Sequence, residues 1–568
     1  MSKSEKVLIL GNHINTDDII PVKHLTNPDP DYLKWYGLEY LIGEGKLLEY
    51  DIIEAGENFG CGSGREEAPI VIKAAGIKKV RAVSFAEIFY RNSINIGLPL
   101  EILGEVQTQP LVEAIAAEGG FISFNQKRRR LEVSIPKSIT QPRPMTMAEK
   151  ILARASGNAY VQPGEVVFAK VDLAMSYDAV VGIVAETFHQ HFGEEARLWD
   201  AKKVVLVADH LIQINEIRED KGANILYQQM LEFARQQECQ LFDVVAPGEA
   251  AGICHILLPE KGFIRPGTFV VGTDSHSCTY GAFGCFSTGV GYTEMANIFA
   301  MGDTWLRIPG TLLFELSGTL PHQISAKDII LFILSKIHCD GAVSKVMEFR
   351  GSIIDQLPID ERMTLANMAV ECGAMCGLIA PDDVTRLYVK SRTHEEFEEI
   401  IGDPNAEYEN VYQFDLSNLE PQVACPHQPD RVVGISQLGE VPITRAFIGS
   451  CTGGKLSDLA RAAEVLKGRK VAPGVSMFVV PASVEIRQKA QDLGYLDIFK
   501  KAGVQVLKSG CGACSNCGIG VLGKEETGVY ATNRNFKGRS GDPSANNYLA
   551  SPRVVAISAI RGKITDQL

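Results

Sequence analysis

The 568-residue sequence predicts an α/β fold built on largely parallel sheets, and two observations carry that expectation. A short apolar run, a polar or glycine-rich turn and a helical pattern recur at "VVLVADHLIQ", "TFVVGTDSHSCTYGAFG", "AFIGSCTGGKLSDLARAAEVL" and "VQVLKSGCGACSNCG". Strands alternating with helices assemble into parallel sheets, since each parallel return needs a crossover. The unusual polar clusters in these stretches all follow their apolar runs, at the carboxyl ends of strands, where ligands collect in open α/β sheets. At about 150 residues per domain the length allows roughly three or four domains.

From the N-terminus, the apolar run Val7 to Leu10 gives way at once to "GNHINTDD" and is too short and polar for a secretory leader. No uninterrupted apolar stretch is long enough to span a bilayer, so the chain is expected in the cytoplasm. The run "QKRRR", Gln126 to Arg130, lies between "FISF" and "LEVSI" and reads as the solvated turn of a hairpin. Pro136, Pro142 and Pro144 then mark a linker over 135–146, between a domain at 1–134 and a region whose helical pattern starts at Met147. Pro426 and Pro429 set a weaker boundary, dividing 147–430 from 431–568, and could equally lie in an internal loop.

The 69 acidic residues exceed the 56 basic ones, for a net charge of -13, and this opposes nonspecific binding to nucleic acid or anionic lipid. In a reducing compartment the 13 cysteines point to metal or redox chemistry where they cluster. Isolated ones, such as Cys239, Cys339 and Cys372, read as small buried hydrophobes.

Cys451 in "GSCTGG" is followed about 60 residues later by Cys511 and Cys514 in "GCGAC". Soft thiolates on glycine-rich turns suit an iron-sulfur cluster or zinc, and a C-x-x-C alone also fits a redox dithiol. Carboxylates and imidazoles recur nearby in sequence: Asp209 with His210, Asp274 with His276, His255 in "GICHILLPE" and Glu371 in "LANMAVECG". A carboxylate that fixes a neighbouring imidazole's tautomer raises its basicity, as proton transfer requires. Arg65, Arg534 and Arg539 offer guanidinium forks for carboxylates.

Together "GTDSHS", "ADHLIQ", "GSCTGG", "GCGAC", "NRNFKGR" and "NFGCGSGREEA" resemble the aconitase superfamily, most closely its isopropylmalate isomerase and homoaconitase branch. Residues 1–134 resemble the small swivelling subunit of the isomerase, and residues from about 147 resemble its large subunit. The resemblance implies a three-lobed α/β catalytic core preceded by a swivelling β/α domain, two lobes lying within 147–430 and the third within 431–568. It also implies a [4Fe-4S] cluster held by Cys451, Cys511 and Cys514, with one iron left without a protein ligand. Cys517 matches no ligand of the family.

By the same resemblance, Ser63 is the base, His210 protonates the departing hydroxyl with Asp209 orienting it, and His255, Asp274, His276 and Glu371 are further catalytic groups. Thr16, Asp17, Thr26, Arg65, Ser275, Asn367, Asn533, Arg534 and Arg539 are the implied substrate-binding residues. The pattern departs from the family at Gly64, where a second serine is usual, and at Glu67, where a histidine is usual. The implied reaction is reversible dehydration and rehydration of a small hydroxy di- or tricarboxylate. Homoaconitase-like members place an arginine where this chain has Thr26, which favours 3-isopropylmalate or a related alkylmalate over homoaconitate or aconitate, unless Lys23 or His24 supplies the cation. Competing classes are an iron-sulfur redox enzyme, a zinc scaffold and an RNA-binding protein, the last opposed by the acidic balance.

Overall fold

The computed structural model describes residues 5–21, 24, 29–62, 65–104, 110–135, 140–216, 219–516 and 518–568. Four sheets of four or more strands, beside two two-stranded ones, organise the described residues. The first is all parallel and runs in chain order through Val7–Ile9, Ile52–Ala55, Lys79–Ala82 and Leu100–Ile102. The second orders Phe286–Gly289, Phe269–Gly272, Leu173–Tyr177, Val204–Val207 and Gln240–Phe242, again all parallel. The third is parallel through Cys376–Ile379, Lys345–Arg350, Gly310–Ser317 and Asn410–Asp415. The fourth has seven strands: a parallel set of Asn546–Leu549, Thr527–Tyr530, Arg445–Ile448, Ser476–Val479 and Gln505–Val506, extended by an antiparallel hairpin. The mixed α/β, mostly parallel architecture expected from sequence is thus the observed one.

Central strands read as continuous apolar runs, as a parallel strand covered on both faces requires; Val204–Val207 is buried at every position. The helix Met147–Ser156 starts where the sequence predicted. Thr146 and Glu149 form a capping box, and Gly157 ends the helix in the left-handed region.

Two expectations need correction. The basic run is not a hairpin turn: it ends the helix Phe121–Arg129, whose Phe121 and Phe124 are buried one helical turn apart. Lys127, Arg128 and Arg129 fall in the last turn, where cations meet the negative end of the helix dipole, and Arg128 pairs with Asp303 at 2.5 Å. A boundary at 430 cuts the hairpin of Gln422–Ala424 with Val432–Gly434, both strands of the fourth sheet, so Pro426 and Pro429 lie in an internal loop. Of the isolated cysteines, Cys372 is buried, while Cys239 and Cys339 are only partly so.

The N-terminal unit docks on the second sheet's helix Tyr292–Met301 through buried polar groups. Arg91 pairs with Glu294 and donates to Trp305 O at 2.8 Å; Asn95 donates to Glu294 at 3.1 Å and accepts from the Trp305 indole at 2.9 Å. Removing either member of the buried Arg91–Glu294 pair strands a charge, at a cost of about 3–5 kcal/mol. This seam sets how the first sheet's loops face the core.

Candidate active site

Asp274 organises the imidazoles. It follows the strand Phe269–Gly272 and caps the 3-10 helix Ser275–Phe283, its Oδ1 accepting from the His276 amide at 2.7 Å. The same oxygen lies 2.8 Å from His255 Nε2, and its Oδ2 lies 3.4 Å from His210 Nε2. His210 meets Asp209 through Nδ1 at 2.7 Å, and His276 meets Glu371 through Nε2 at 3.0 Å. Burial opposes charge on Asp274, but His255 and the hydrogen bonds from the three histidines hold its carboxyl well below the ordinary range. Burial likewise opposes the His210 imidazolium, yet Asp209 and Cys511 outweigh it and raise the histidine well above its usual value. The two expected pairs, with His255 and Glu371, therefore form one continuous hydrogen-bonded network.

Glu371 links that network to Arg534, whose Nε donates to its two oxygens at 2.8 and 3.0 Å, while a terminal nitrogen reaches Ser275 Oγ at 3.1 Å. Burial again resists the charge, but Arg534 and His276 bring the Glu371 carboxyl down to about 2. Because this folded value lies below the unfolded one, the stability it contributes is complete above about pH 4.5 and lost as pH falls toward 2. Denaturant unfolding at pH 6 and pH 3 checks this: the deficit of Glu371→Gln relative to the parent should be large at pH 6 and shrink by about half or more at pH 3.

The thiols converge from two loops. Cys451 follows the strand Arg445–Ile448 and sits beside Ser450, held at φ 68°, a left-handed conformation unusual for a serine. Gly453 is required in that turn, since a Cβ there would lie 2.3 Å from Ala531 O. Cys511 and Cys514 follow the strand Gln505–Val506. The Cys451 and Cys514 sulfurs each lie 3.7 Å from Asn533 Oδ1, and Cys451 Sγ accepts from Asn367 Nδ2 at 3.2 Å and Asn533 Nδ2 at 3.4 Å. The Cys511 sulfur groups with Asp209 and His210, their ligand atoms all within 4.8 Å of one another. Burial pushes the Cys451 thiol up to about 11 and the Cys511 thiol higher still. Free thiols this buried ionise only against a positive centre, and amide N–H groups already point at sulfur. The donor set fits a thiolate-ligated iron-sulfur group.

On the N-terminal side, Thr16 is buried at the start of Thr16–Ile19, its amide donating to Cys61 O at 2.9 Å. Arg65 bonds Asp17 at 2.8 Å and Ile20 O at 2.9 Å. Next to it, Glu66 accepts from the Thr293 amide at 2.9 Å, and burial pushes its carboxyl up to about 8. This unit also abuts the Asp274 loop: a Cβ on Gly289 would sit 3.1 Å from Asp274 O and 3.4 Å from Ile88 Cδ1. Ser63, Thr26 and Cys517 lie outside the described residues, as do Lys23 and Gly64. Glu67 is described, and burial raises its carboxyl. Arg539 turns its Nε to Cys514 O at 3.0 Å, so it braces the cysteine loop.

Sequence reasoning missed several supporting groups. Asp178 is fully buried and accepts from the His210 and Leu211 amides at 3.0 and 2.7 Å; Tyr177 covers the His210 ring with centroids 4.2 Å apart. Gln213 accepts from the Gly512 amide at 3.2 Å and donates to Ser509 O at 3.3 Å, tying the "ADHLIQ" and "GCGAC" loops together. Its place in "ADHLIQ" was the available signal. Asp178 carried none, since a lone aspartate after a strand reads as a turn residue.

Buried cysteines lie beside a carboxylate-imidazole network at the carboxyl ends of parallel strands, a donor set that fits an enzyme site built around a metallocluster. The aconitase family (aconitate hydratase) model matches residues 176–441 and 436–562, and the aconitase C-terminal domain model matches residues 48–105. The chain belongs to the aconitase family and is a hydro-lyase of that family, with the C-terminal-domain match placed ahead of the others. A probable 3-isopropylmalate dehydratase large subunit from Methanothermobacter thermautotrophicus is 43% identical over 74% of this chain and 98% of its own length. A probable methanogen homoaconitase large subunit from the same organism is 45% identical over 74% of this chain and 97% of its own. A crystal structure of 3-isopropylmalate dehydratase from Methanocaldococcus jannaschii is 34% identical, covering 22% of this chain and 95% of that one, with a TM-score of 0.20. Family membership implies an iron-sulfur cluster and a small-molecule substrate. Among the described residues, no helix is long and apolar enough to cross a membrane.

Proposed function

We propose that this chain reversibly dehydrates and rehydrates a small hydroxy dicarboxylate, isomerising 3-isopropylmalate and 2-isopropylmalate or a related alkylmalate. The observation that carries the reading is Asp274 gathering His210, His255 and His276 while Asp209, His210 and Cys511 come together at one edge of that network. Cys451, Cys511 and Cys514 would hold a [4Fe-4S] cluster whose fourth iron has no protein ligand, supplying a Lewis acid for the substrate's oxygens when bound. The protein's own part is proton handling and orientation. His210, kept protonated by Asp209, donates a proton from Nε2 to the departing hydroxyl. Asp274 holds that nitrogen and the His255 ring in place, and Glu371 fixes His276 and Arg534 together. Ser63 removes the proton beside the carboxylate, with Arg65 in the same loop offering positive charge to the alkoxide.

The family resemblance supports Ser63 as base. Ser63→Ala should retain cluster absorbance and substrate KM while turnover falls on the order of 10³-fold, the signature of a general base. Anaerobic steady-state kinetics check this, and turnover within a few-fold of the parent reassigns the role.

The substituent is read from His24. Its Nε2 lies 3.1 Å from Glu39, its Nδ1 lies 3.3 Å from the Tyr32 hydroxyl, and its ring stacks on Tyr36 with centroids 3.9 Å apart. A buried histidine so engaged is a poor partner for a distal substrate carboxylate. That supports an apolar branch beside Thr26 over a tricarboxylate, although the two relatives' identities are nearly equal. Thr26→Arg should gain homoaconitate turnover, since a carboxylate buried without a partner costs about 2–5 kcal/mol.

A further inference from the structure

Lys327 is the second residue of the helix Ala326–Ile337 and is 1% exposed. Its Nζ lies 2.6 Å from Thr532 O, 3.0 Å from Thr452 Oγ1 and 3.3 Å from Met368 Sδ. These acceptors come from three separate segments, and each is the immediate chain neighbour of a site residue: Thr532 precedes Asn533, Thr452 follows Cys451, and Met368 follows Asn367. The three neighbours meet in turn on the far side. Asn533 bonds Asn367, and both donate to Cys451 Sγ.

Burying an amine is costly, and an apolar side chain would fill the space without that cost. Burial, with Lys455 nearby, pushes the Lys327 amine down to about 7, and the structure retains it nonetheless. Lys455 does a related job from another side, its Nζ reaching Asp458 at 2.8 Å and Cys451 O at 3.4 Å. Lys455 grips only its own loop. Lys327 instead joins the segments of Asn367, Cys451 and Asn533 at its Nζ, from the side opposite the Cys451 sulfur.

We propose that Lys327 is a positioning residue, a clasp that sets Asn367 and Asn533 against the Cys451 sulfur and so governs how firmly the site retains a cluster. The inference rests on the cluster reading above. Groups one shell removed from a metal commonly change its retention by about 10–100-fold when lost, so Lys327→Met should bleach about 10-fold faster than the parent in chelator.

The test uses full-length protein reconstituted anaerobically with iron and sulfide, read by iron content, visible absorbance against time in EDTA, and electron paramagnetic resonance of the oxidised cluster. Lys327→Met is expected to bleach faster with a shifted resonance line shape, and Thr452→Val, which removes one leg of the clasp, to move the same way by less. A lowered melting temperature with unchanged bleaching and line shape would mean a merely structural lysine and overturns the proposal. If Lys327→Met does not fold, Thr452→Val decides: parental bleaching overturns the proposal, and faster bleaching upholds it. A parent that takes up no iron overturns the cluster reading and this inference together, whereas a clustered parent matched by its variants overturns this inference alone.

Discussion

Cys451→Ala is expected to yield folded protein with no iron-sulfur absorbance and no measurable hydro-lyase turnover. Cys451 is the point where the two asparagines aim their amides at sulfur, and the thiol lies in a turn whose glycine admits no side chain. With Cys451 as one of the three proposed ligands, its loss would leave too few thiolates to hold the cluster. The fold should survive, because trading a sulfur for hydrogen at one buried site costs on the order of 1 kcal/mol against a total of about 5–15 kcal/mol. Cys517→Ala is the control and should match the parent, since the family pattern gives Cys517 no role. Iron analysis and visible spectra of both variants check the pair. A Cys451→Ala protein with parental absorbance would remove Cys451 from the ligand set, and a cluster lost in Cys517→Ala would add a fourth ligand.

Asp274→Asn should keep the cluster and lower turnover on the order of 10⁴-fold, as when a buried aspartate that orients a catalytic histidine becomes an amide. The substitution preserves shape, and the amide oxygen can still accept from the His276 backbone N–H that caps the 3-10 helix. What it removes is charge. The carboxylate now faces His210 and His255 through its two oxygens, and an amide NH₂ turned to either ring forces the wrong tautomer or leaves a nitrogen unpaired. His210 is raised by Asp209 as well, so its proton affinity drops without disappearing. The loss should therefore fall mainly on kcat, with KM changed much less. Steady-state kinetics from pH 6 to 9 check this, and turnover within 10-fold of the parent would show that the network does not depend on Asp274.

Much of this was legible in the sequence, for physical reasons that can be named. Strand–turn–helix alternation survives in sequence because fully buried parallel strands must be apolar throughout, as in Val204–Val207. The chemical residues were visible because each sits in a short polar or glycine-rich turn that packing alone does not demand. The misreadings came from local ambiguity. "FISF" is a short apolar run that fits a strand, yet Phe121 and Phe124 also share a helical face, and only burial of that face decides between them. Two prolines near 430 read as a boundary because sequence cannot show that the hairpin flanking them adds to one sheet. What stayed invisible were residues acting across long chain separations: Asp178 on the His210 loop, Glu66 on the Thr293 amide and Lys327 on three segments. A buried lysine or glutamate has no local signature, since its partners are distant in sequence.

The same limit governs Arg534 and Arg539. Both read as free carboxylate forks, but the structure commits Arg534 Nε to Glu371 and Arg539 Nε to Cys514 O. A terminal nitrogen of Arg534 also donates to Ser275, so in the proposed reaction a substrate carboxylate would share an already engaged fork.

We propose that this thiol and imidazole network carries out reversible dehydration of an alkyl-branched hydroxy dicarboxylate. Its most direct test is turnover of anaerobically reconstituted protein on a panel of 3-isopropylmalate, dimethylmalate, homoaconitate and citrate, followed by enoate absorbance and product analysis. Interconversion of the alkylmalate isomers through the enoate is expected at a rate well above that with either tricarboxylate, and abolished by Cys451→Ala. Turnover confined to the tricarboxylates would contradict the substrate assignment, and no hydration or dehydration of any of the four by a fully clustered protein would contradict the proposed reaction.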